Sequence, residues 1–126
     1  MTTRLEIRVR YTECDPMGVA HHTAYPVWFE MGRTELLRGD QISYRDLETQ
    51  GFLIAVVKLN VQYKRSARYD DLLSLETAIT DRGRATIDHA YQLSRDGVLL
   101  TTATTTVVCV DRDGRPQPLP EVLCGQ

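Results

Sequence analysis

The segment from Tyr11 to Arg33 holds the side chains of this 126-residue chain that are best suited to chemistry. Asp15 lies between turn-forming residues, two adjacent histidines follow at positions 21 and 22, and a helical pattern begins directly after them. A helix N-terminus presents free N–H groups and a partial positive charge. A carboxylate beside such an end can act as a nucleophile or general base while the N–H groups stabilise an oxyanion. This combination indicates acyl transfer.

Other interpretations of this segment use the same residues. Asp15 followed by Pro16 is also a common helix start, with aspartate as the N-cap and proline at the first helical position. Cys14 could be a thiol nucleophile with His22 as its base, although a free cysteine here more often fills packing volume. His21 and His22 could bind a metal, but adjacent side chains diverge and no third ligand has a suitable spacing. We therefore predict no metal site.

Periodic patterns flank the segment on both sides. Before it, apolar and charged residues alternate from Leu5 to Tyr11, which predicts a β-strand. After it, apolar residues recur every three or four positions from about Thr23 to Arg38, which predicts a helix. Thr23 is the expected N-cap of this helix and Gly39 its expected end. The apolar stripe consists of Ala24, Val27, Trp28, Met31, Leu36 and Leu37.

The rest of the chain is predicted to form a short helix followed by strands. Ser43 to Gln50 is expected to be helical, with Ser43 as its cap and Gly51 as its end. Short turn signals such as Asp96-Gly97 separate consecutive runs, so the strands should pair antiparallel. One helix followed by a meander favours a sheet that curls around the helix. The predicted strands are Val57 to Lys64, Leu73 to Ile79, Ala85 to Ser94 and Val98 to Val110.

Polar residues also occur within the predicted core elements. Glu30 and Arg33 are three positions apart on the helix and can form an ion pair across one turn. His89 shares an apolar strand face with Ile87 and Tyr91. We interpret His89 as a hydrogen-bonded core histidine.

Composition excludes several classes of protein. Fifteen Lys and Arg against 17 Asp and Glu give a formal net charge of −2, whereas nucleic-acid-binding modules are usually strongly basic. The apolar run from Leu53 to Val57 is too short to span a membrane, and the N-terminus lacks a signal-peptide core. Three cysteines without paired spacing favour the reducing cytoplasm over a disulfide framework. We expect one domain covering residues 1–126.

The motif residues resemble a known family. The sequence is similar to hotdog-fold acyl-CoA thioesterases of the 4-hydroxybenzoyl-CoA thioesterase type, which include the Tol-Pal-associated thioesterases. The resemblance extends over essentially the whole chain, through Tyr63-Lys64-Arg65 and the tail from Asp113 to Pro120. It implies an α+β hotdog fold, with a curled antiparallel sheet of about five strands around one long helix. The matching residues of the motif are Tyr11, Asp15, Gly18, Val19, His22, Tyr25, Trp28, Phe29, Glu30 and Arg33.

The resemblance also implies roles for individual residues. The family's catalytic carboxylate falls on Asp15, as a nucleophile that forms a mixed anhydride or as a general base for water. The backbone N–H that polarises the thioester carbonyl falls on His22. Gly18, Val19 and Tyr25 match the motif and are expected to contribute to substrate binding. His21 departs from the aromatic residue that usually precedes the position of His22.

A basic cluster is the expected site for the anionic end of coenzyme A. Lys64, Arg65 and Arg68 lie close together in the sequence and could contact its phosphates, although a solvated rim is the usual location of such charges. No metal or redox cofactor is implied. The family resemblance implies a homodimer or a homotetramer built as a dimer of dimers, with active sites across the subunit interface. Exposed sheet edges favour oligomers independently.

The predicted function is hydrolysis of an acyl-CoA thioester to a free acid and CoA. Two alternatives stay open on the sequence alone. One is a hotdog dehydratase or hydratase, which needs a carboxylate and a histidine directed at the substrate's C2 and C3. The other is a protein that binds acyl-CoA without turnover. The identity of the acyl group does not follow from these residues.

Overall fold

The computed structural model describes residues 1–124, in which five strands form one antiparallel sheet. The strand order is β1-β3-β4-β5-β2, so β1 and β2 are the edges. Among the described residues, no helix is long and apolar enough to cross a membrane. The elements are β1 (Thr2–Arg8), α1 (Ala24–Gly39), α2 (Tyr44–Thr49), β2 (Leu53–Tyr63), β3 (Leu72–Arg82), β4 (Thr86–Arg95) and β5 (Val98–Val110), with 3-10 turns at Tyr11–Glu13 and Glu121–Leu123.

The expected hotdog arrangement is confirmed, because the long helix α1 packs on one face of the curled sheet. However, the predicted apolar stripe of α1 is partly wrong. Val27 and Met31 are 49% and 40% exposed, whereas Tyr25 and Phe29 are buried. Aromatic side chains bury more area than Val or Met, and Tyr25, Phe29, Gly32 and Leu36 form their own stripe at helical spacing. The helix is therefore rotated toward its aromatic side.

The ends of α1 lie where they were predicted, but they are closed differently. Thr23 occupies the N-cap position, but it has helical backbone angles and its side chain caps no N–H group. Gly39 is the last residue inside the helix, and the left-handed conformation that ends the segment falls on Gln41, with φ of 63°. The shorter helix α2 is as predicted: the Ser43 hydroxyl accepts the Asp46 N–H at 3.0 Å, and Gly51 has φ of 92°.

A row of buried polar residues crosses the core beneath α1. Arg33 is only 6% exposed, and its Nη1 donates to the Tyr91 hydroxyl at 2.9 Å. The Tyr91 hydroxyl in turn lies 2.6 Å from the Thr105 hydroxyl. Arg33 thus points into the core, and within residues 1–124 it forms no ion pair with Glu30. The predicted pair is wrong because the helix rotation that buries Phe29 also turns position 33 inward.

His89 belongs to the same polar row. It is 5% exposed, and burial together with the Arg33 charge lowers its pKa to about 4. The imidazole is therefore neutral at physiological pH. Burial was predicted correctly, but the expected hydrogen bonding is not found: within residues 1–124 the His89 ring forms no hydrogen bond, and its buried Nδ1 has no partner.

The edge strand β2 leaves apolar side chains in solvent. The pairing register between β2 and β5 shifts between Val56 and Lys58, which identifies a β-bulge at Val57. Val56, Val57, Leu59 and Tyr63 are between 43% and 61% exposed. A long apolar edge strand is a surface that proteins usually cover.

We predict that Gly32→Ala destabilises the fold, because α1 approaches β3 most closely at this position. A Cβ on Gly32 would collide with the Thr77 hydroxyl and lie 3.0 Å from Leu75 Cδ2. Overpacking of this kind costs about 1–3 kcal/mol in unfolding free energy, measured by urea denaturation. Gly39→Ala is the matched control, since its Cβ would meet nothing within 4 Å and alanine favours a helix. If the two variants have equal unfolding free energies, α1 and β3 are not packed tightly at Gly32.

Candidate active site

The segment that carries Asp15 is a tight, internally bonded turn. Cys14 and Ala20 form an antiparallel bridge, and the Asp15 N–H donates to the Val19 carbonyl at 2.9 Å. Gly18 closes the turn with φ of 79°, a conformation that favours glycine. The half-buried Asp15 side chain accepts the N–H of residue 17 at 2.8 Å. The helix-start interpretation of Asp15 is therefore wrong, because the carboxylate caps this turn and α1 begins nine residues later.

Glu13 attaches this turn to the helix, a role that the sequence analysis missed. Its Oε2 accepts the Trp28 indole N–H at 2.8 Å and its Oε1 accepts the Arg10 backbone N–H at 2.7 Å. Its own carbonyl accepts the His21 N–H at 2.7 Å. The Glu13 side chain is only 9% exposed. A contact between residues 15 positions apart across a turn leaves no periodic signal, so no sequence pattern could have revealed it.

The backbone around His22 presents a donor for which no acceptor is found. Ala24 and Tyr25 donate their N–H groups to the carbonyls of His21 and His22, at 3.0 and 3.4 Å. Within residues 1–124, no hydrogen bond uses the N–H of His22 itself. This N–H precedes the N-terminus of α1, where the helix dipole favours negative charge. The arrangement suits stabilisation of an oxyanion.

A cavity of about 240 Å³ is lined by His22. Tyr25 and Tyr63 meet edge to face there, with ring centroids 4.9 Å apart, and join the wall formed by α1 to the end of β2. Burial raises the pKa of Tyr25 above its ordinary value, so its hydroxyl stays protonated at neutral pH. The lining residues are Ala20, His22, Tyr25, Tyr63, Lys64, Arg65 and Ser66.

The structure thus brings four of the predicted site residues, His22, Tyr25, Lys64 and Arg65, to one cavity. The other four do not line it. Asp15 and Gly18 form the adjoining turn, and Val19 pairs with Arg68 through an isolated β-bridge. This bridge attaches the Asp15 turn to the segment that supplies the cavity's two cations.

The alternative chemistries for this segment are poorly supported by the geometry. Desolvation and the nearby carboxylates of Glu13 and Asp15 raise the pKa of the Cys14 thiol, which disfavours a thiolate nucleophile. The rings of His21 and His22 lie 4.2 Å apart, and His21 Nδ1 is 2.8 Å from a threonine hydroxyl. In the described part of the chain, no three potential ligand side chains come together as a metal site.

A larger cavity of about 420 Å³ lies farther along α1, against α2 and β2. Arg33 and Tyr44 contribute its polar wall, and Ile54 and Val56 contribute its apolar wall. Burial raises the pKa of Tyr44, while the Arg33 charge opposes the rise. The exposed apolar face of β2 connects this region with the cavity beside His22.

Comparison with known proteins identifies relatives over nearly the full chain. An acyl-CoA thioesterase of Haemophilus influenzae, YbgC, is 38% identical over 114 residues, which cover 90% of this chain and 83% of the relative. The acyl-CoA thioester hydrolase YbgC of Escherichia coli is 34% identical over 98% of this chain and 93% of its own length. A putative acyl-CoA thioesterase of Bacillus subtilis, YneP, is 37% identical over 88% of this chain and 81% of its own length.

A solved structure supports the same assignment. A DHNA-CoA thioesterase from Staphylococcus aureus superposes with a TM-score of 0.91 at 34% identity, over 94% of this chain and 80% of that one. The family model described as the thioesterase-like superfamily matches residues 9–126. The curled sheet, the turn before the helix and these matches agree, and the chain belongs to the thioesterase-like superfamily.

Proposed function

We propose that this protein hydrolyses acyl-CoA thioesters, with Asp15 as the catalytic carboxylate and the His22 backbone N–H as the oxyanion donor. Acyl-CoA thioester hydrolysis as such is supported by the family and by relatives named for that activity. The observation that carries the residue roles is the unpaired His22 N–H at a helix N-terminus, beside a turn that holds a carboxylate.

Both chemical routes open to Asp15 use the same two groups. As a nucleophile, its carboxylate adds to the thioester carbonyl carbon and expels the CoA thiolate, which leaves a mixed anhydride that water hydrolyses. As a general base, it removes a proton from a water molecule that attacks the same carbon. In either route the carbonyl oxygen gains negative charge, and the His22 N–H can stabilise it. Neither route needs a metal or a redox cofactor.

The geometry favours hydrolysis over the dehydratase alternative. Dehydration requires a carboxylate and an imidazole that act together on one substrate. The Asp15 carboxylate instead bonds a backbone N–H, and the ring of His22, the histidine that this alternative would use, contacts the His21 ring with centroids 4.2 Å apart. Within residues 1–124, no hydrogen bond joins a carboxylate to either histidine of this turn. Thiol release from acyl-CoA supports the hydrolase, whereas hydration of an enoyl-CoA or binding without turnover would support an alternative.

We further propose a homodimer or homotetramer in the cytoplasm. The apolar, unpaired edge of β2 needs cover, and a second copy of the chain can supply it. Cys14, Cys109 and Cys124 are free thiols, as expected in a reducing compartment.

Asp15→Asn is expected to lower kcat for the best acyl-CoA substrate by about 10² to 10⁴-fold, the contribution of a positioned acid–base group. The turn should survive, because the asparagine side-chain oxygen can accept the same N–H group. KM should change little, since the carboxylate acts on the transition state. Thiol release at saturating substrate measures the effect, and thermal unfolding checks the fold.

Asp113→Asn is the matched control, because Asp113 is exposed in the turn beyond the far end of β5. It should retain wild-type kcat. If Asp15→Asn keeps more than about a third of wild-type kcat, the loss is too small for a catalytic base or nucleophile. The Asp15 assignment would then be wrong.

Salt should weaken the binding of acyl-CoA if Lys64 and Arg65 contact its phosphates. Exposed charge pairs are screened at high ionic strength, so KM for acyl-CoA should rise with salt. KM for the matching pantetheine thioester, which lacks the nucleotide, should not rise with salt. If KM depends on salt in the same way for both substrates, Lys64 and Arg65 do not contact the phosphates and are only solvated surface charges.

The wild-type protein should have the mass of a dimer or tetramer at micromolar concentration, measured by light scattering. Leu59→Glu places a charge on the exposed apolar edge strand and should shift the protein toward the monomer. Val122→Glu is the control, because Val122 is 62% exposed but lies outside the sheet. A monomeric and fully active wild-type protein would contradict the proposed assembly.

A further inference from the structure

Two tyrosines form an exposed aromatic pair beside the Asp15 turn. The rings of Tyr11 and Tyr69 meet edge to face, with centroids 5.6 Å apart and planes at 85°. Tyr11 is 79% exposed and Tyr69 is 54% exposed. Aromatic residues of this size are usually at least partly covered, so the pair leaves an unusual amount of ring surface open to solvent.

The backbone beneath this pair is firmly held. Val9, two residues before Tyr11, exchanges hydrogen bonds with the segment around Tyr69: its N–H donates to the Asp71 carbonyl at 2.9 Å, and its carbonyl accepts the Asp70 N–H at 3.0 Å. The Asp71 carboxylate closes the turn by accepting the Arg68 N–H at 2.9 Å. The two rings are therefore preorganised, and a ligand that stacks on them orders little backbone.

Positive charges without an ion-pair partner are in excess near the tyrosine pair in the described part of the chain. Three neighbouring carboxylates already have cationic partners within 4.0 Å, in the pairs Arg10–Glu13, Arg8–Asp70 and Arg95–Asp71. Lys64, Arg65 and Arg68 have no carboxylate oxygen within that distance in the part of the chain that the structure describes. Within residues 1–124 these three cations thus give a surplus of positive charge to the segment that runs from the cavity beside His22 to Tyr69.

We propose that Tyr11 and Tyr69 bind the adenine ring of coenzyme A, with Arg68 contacting the adjoining phosphates. The inference rests on the proposed function, because it assumes that the thioester occupies the cavity beside His22. In coenzyme A the phosphates lie between the thiol-bearing arm and the adenine. The same order occurs along the chain, where the cations at positions 64, 65 and 68 precede Tyr69.

The physical basis is base stacking next to phosphate recognition. Aromatic side chains stack with bases because every base has a π face, and arginine forms charge-assisted hydrogen bonds with phosphate. From Arg65 to Tyr69 the chain can extend at most about 14 Å, so the cations and the rings can contact one nucleotide together. Both rings are largely exposed, so a planar base can stack on the open face of one of them.

The test compares acyl-CoA with the pantetheine thioester of the same acyl group. Tyr69→Ala should raise KM for acyl-CoA by about 5-fold to 150-fold, the range for loss of one stacked base. It should leave KM for the pantetheine thioester and kcat for both substrates unchanged. Tyr69→Phe is the matched control, because it keeps the ring and should keep the wild-type KM. Because Tyr69 is 54% exposed, its substitution should leave the fold intact, and thermal unfolding measures this.

Binding of coenzyme A itself, measured by calorimetry, separates this inference from the proposed activity. If the wild-type protein releases no thiol from any acyl-CoA, the proposed function fails. The CoA affinities of wild type and Tyr69→Ala still test whether the tyrosine pair binds adenine. Weaker CoA binding by Tyr69→Ala, with unchanged binding by Tyr69→Phe, supports it. Equal CoA affinity of wild type and Tyr69→Ala, or an equal rise of KM for both thioesters, overturns it.

Discussion

The hydrogen bond from the Trp28 indole to the Glu13 carboxylate links the turn that carries Asp15 to the helix that fills the sheet. Trp28 is completely buried and Glu13 nearly so, so the bond is charge-assisted and shielded from water. The position of the turn is thereby set by the packing of α1 rather than by the turn alone. The distance from Asp15 to the His22 N–H is constrained in the same way, because the Glu13 carbonyl also holds the backbone of His21.

The aromatic side of α1 explains several features together. Burying Tyr25 and Phe29 rotates the helix so that Arg33 enters the core and bonds Tyr91. The same rotation leaves Val27 exposed and places Tyr25 against Tyr63 in the wall of the cavity beside His22. One packing choice therefore determines the polar row of the core and the shape of the site. Within residues 1–124 the buried Arg33 has no carboxylate partner, which is costly, and the hydroxyls of the polar row offset part of that cost.

Sequence patterns located each helix and strand, but the bounds of two strands were wrong: β1 spans Thr2–Arg8 rather than Leu5 to Tyr11, and β2 begins at Leu53 rather than Val57. The predicted strand from Val98 to Val110 has the same first and last residues as β5. The predicted cap Ser43 and the predicted end Gly51 also flank α2 as expected. Prediction failed where tertiary contacts outweigh local preference, as in the exposure of Met31. For the site, local chemistry pointed to Asp15 and to the helix N-terminus behind it. Contacts between distant positions, such as Glu13 with Trp28 or Tyr11 with Tyr69, carry no periodic signal and needed the structure.

The polar row under α1 divides the apolar core into two parts. One cluster surrounds Trp28 and Leu75 and supports the Asp15 turn, whereas the other surrounds Leu47 and Leu123 at the opposite end of the sheet. Cooperative units of a protein often follow such boundaries, and each can open with its own free energy. The end that holds Leu123 can therefore fray or accumulate substitutions while the end that holds the Asp15 turn keeps its geometry. In evolutionary terms, the division separates the part of the fold that is free to vary from the part that the chemistry restrains.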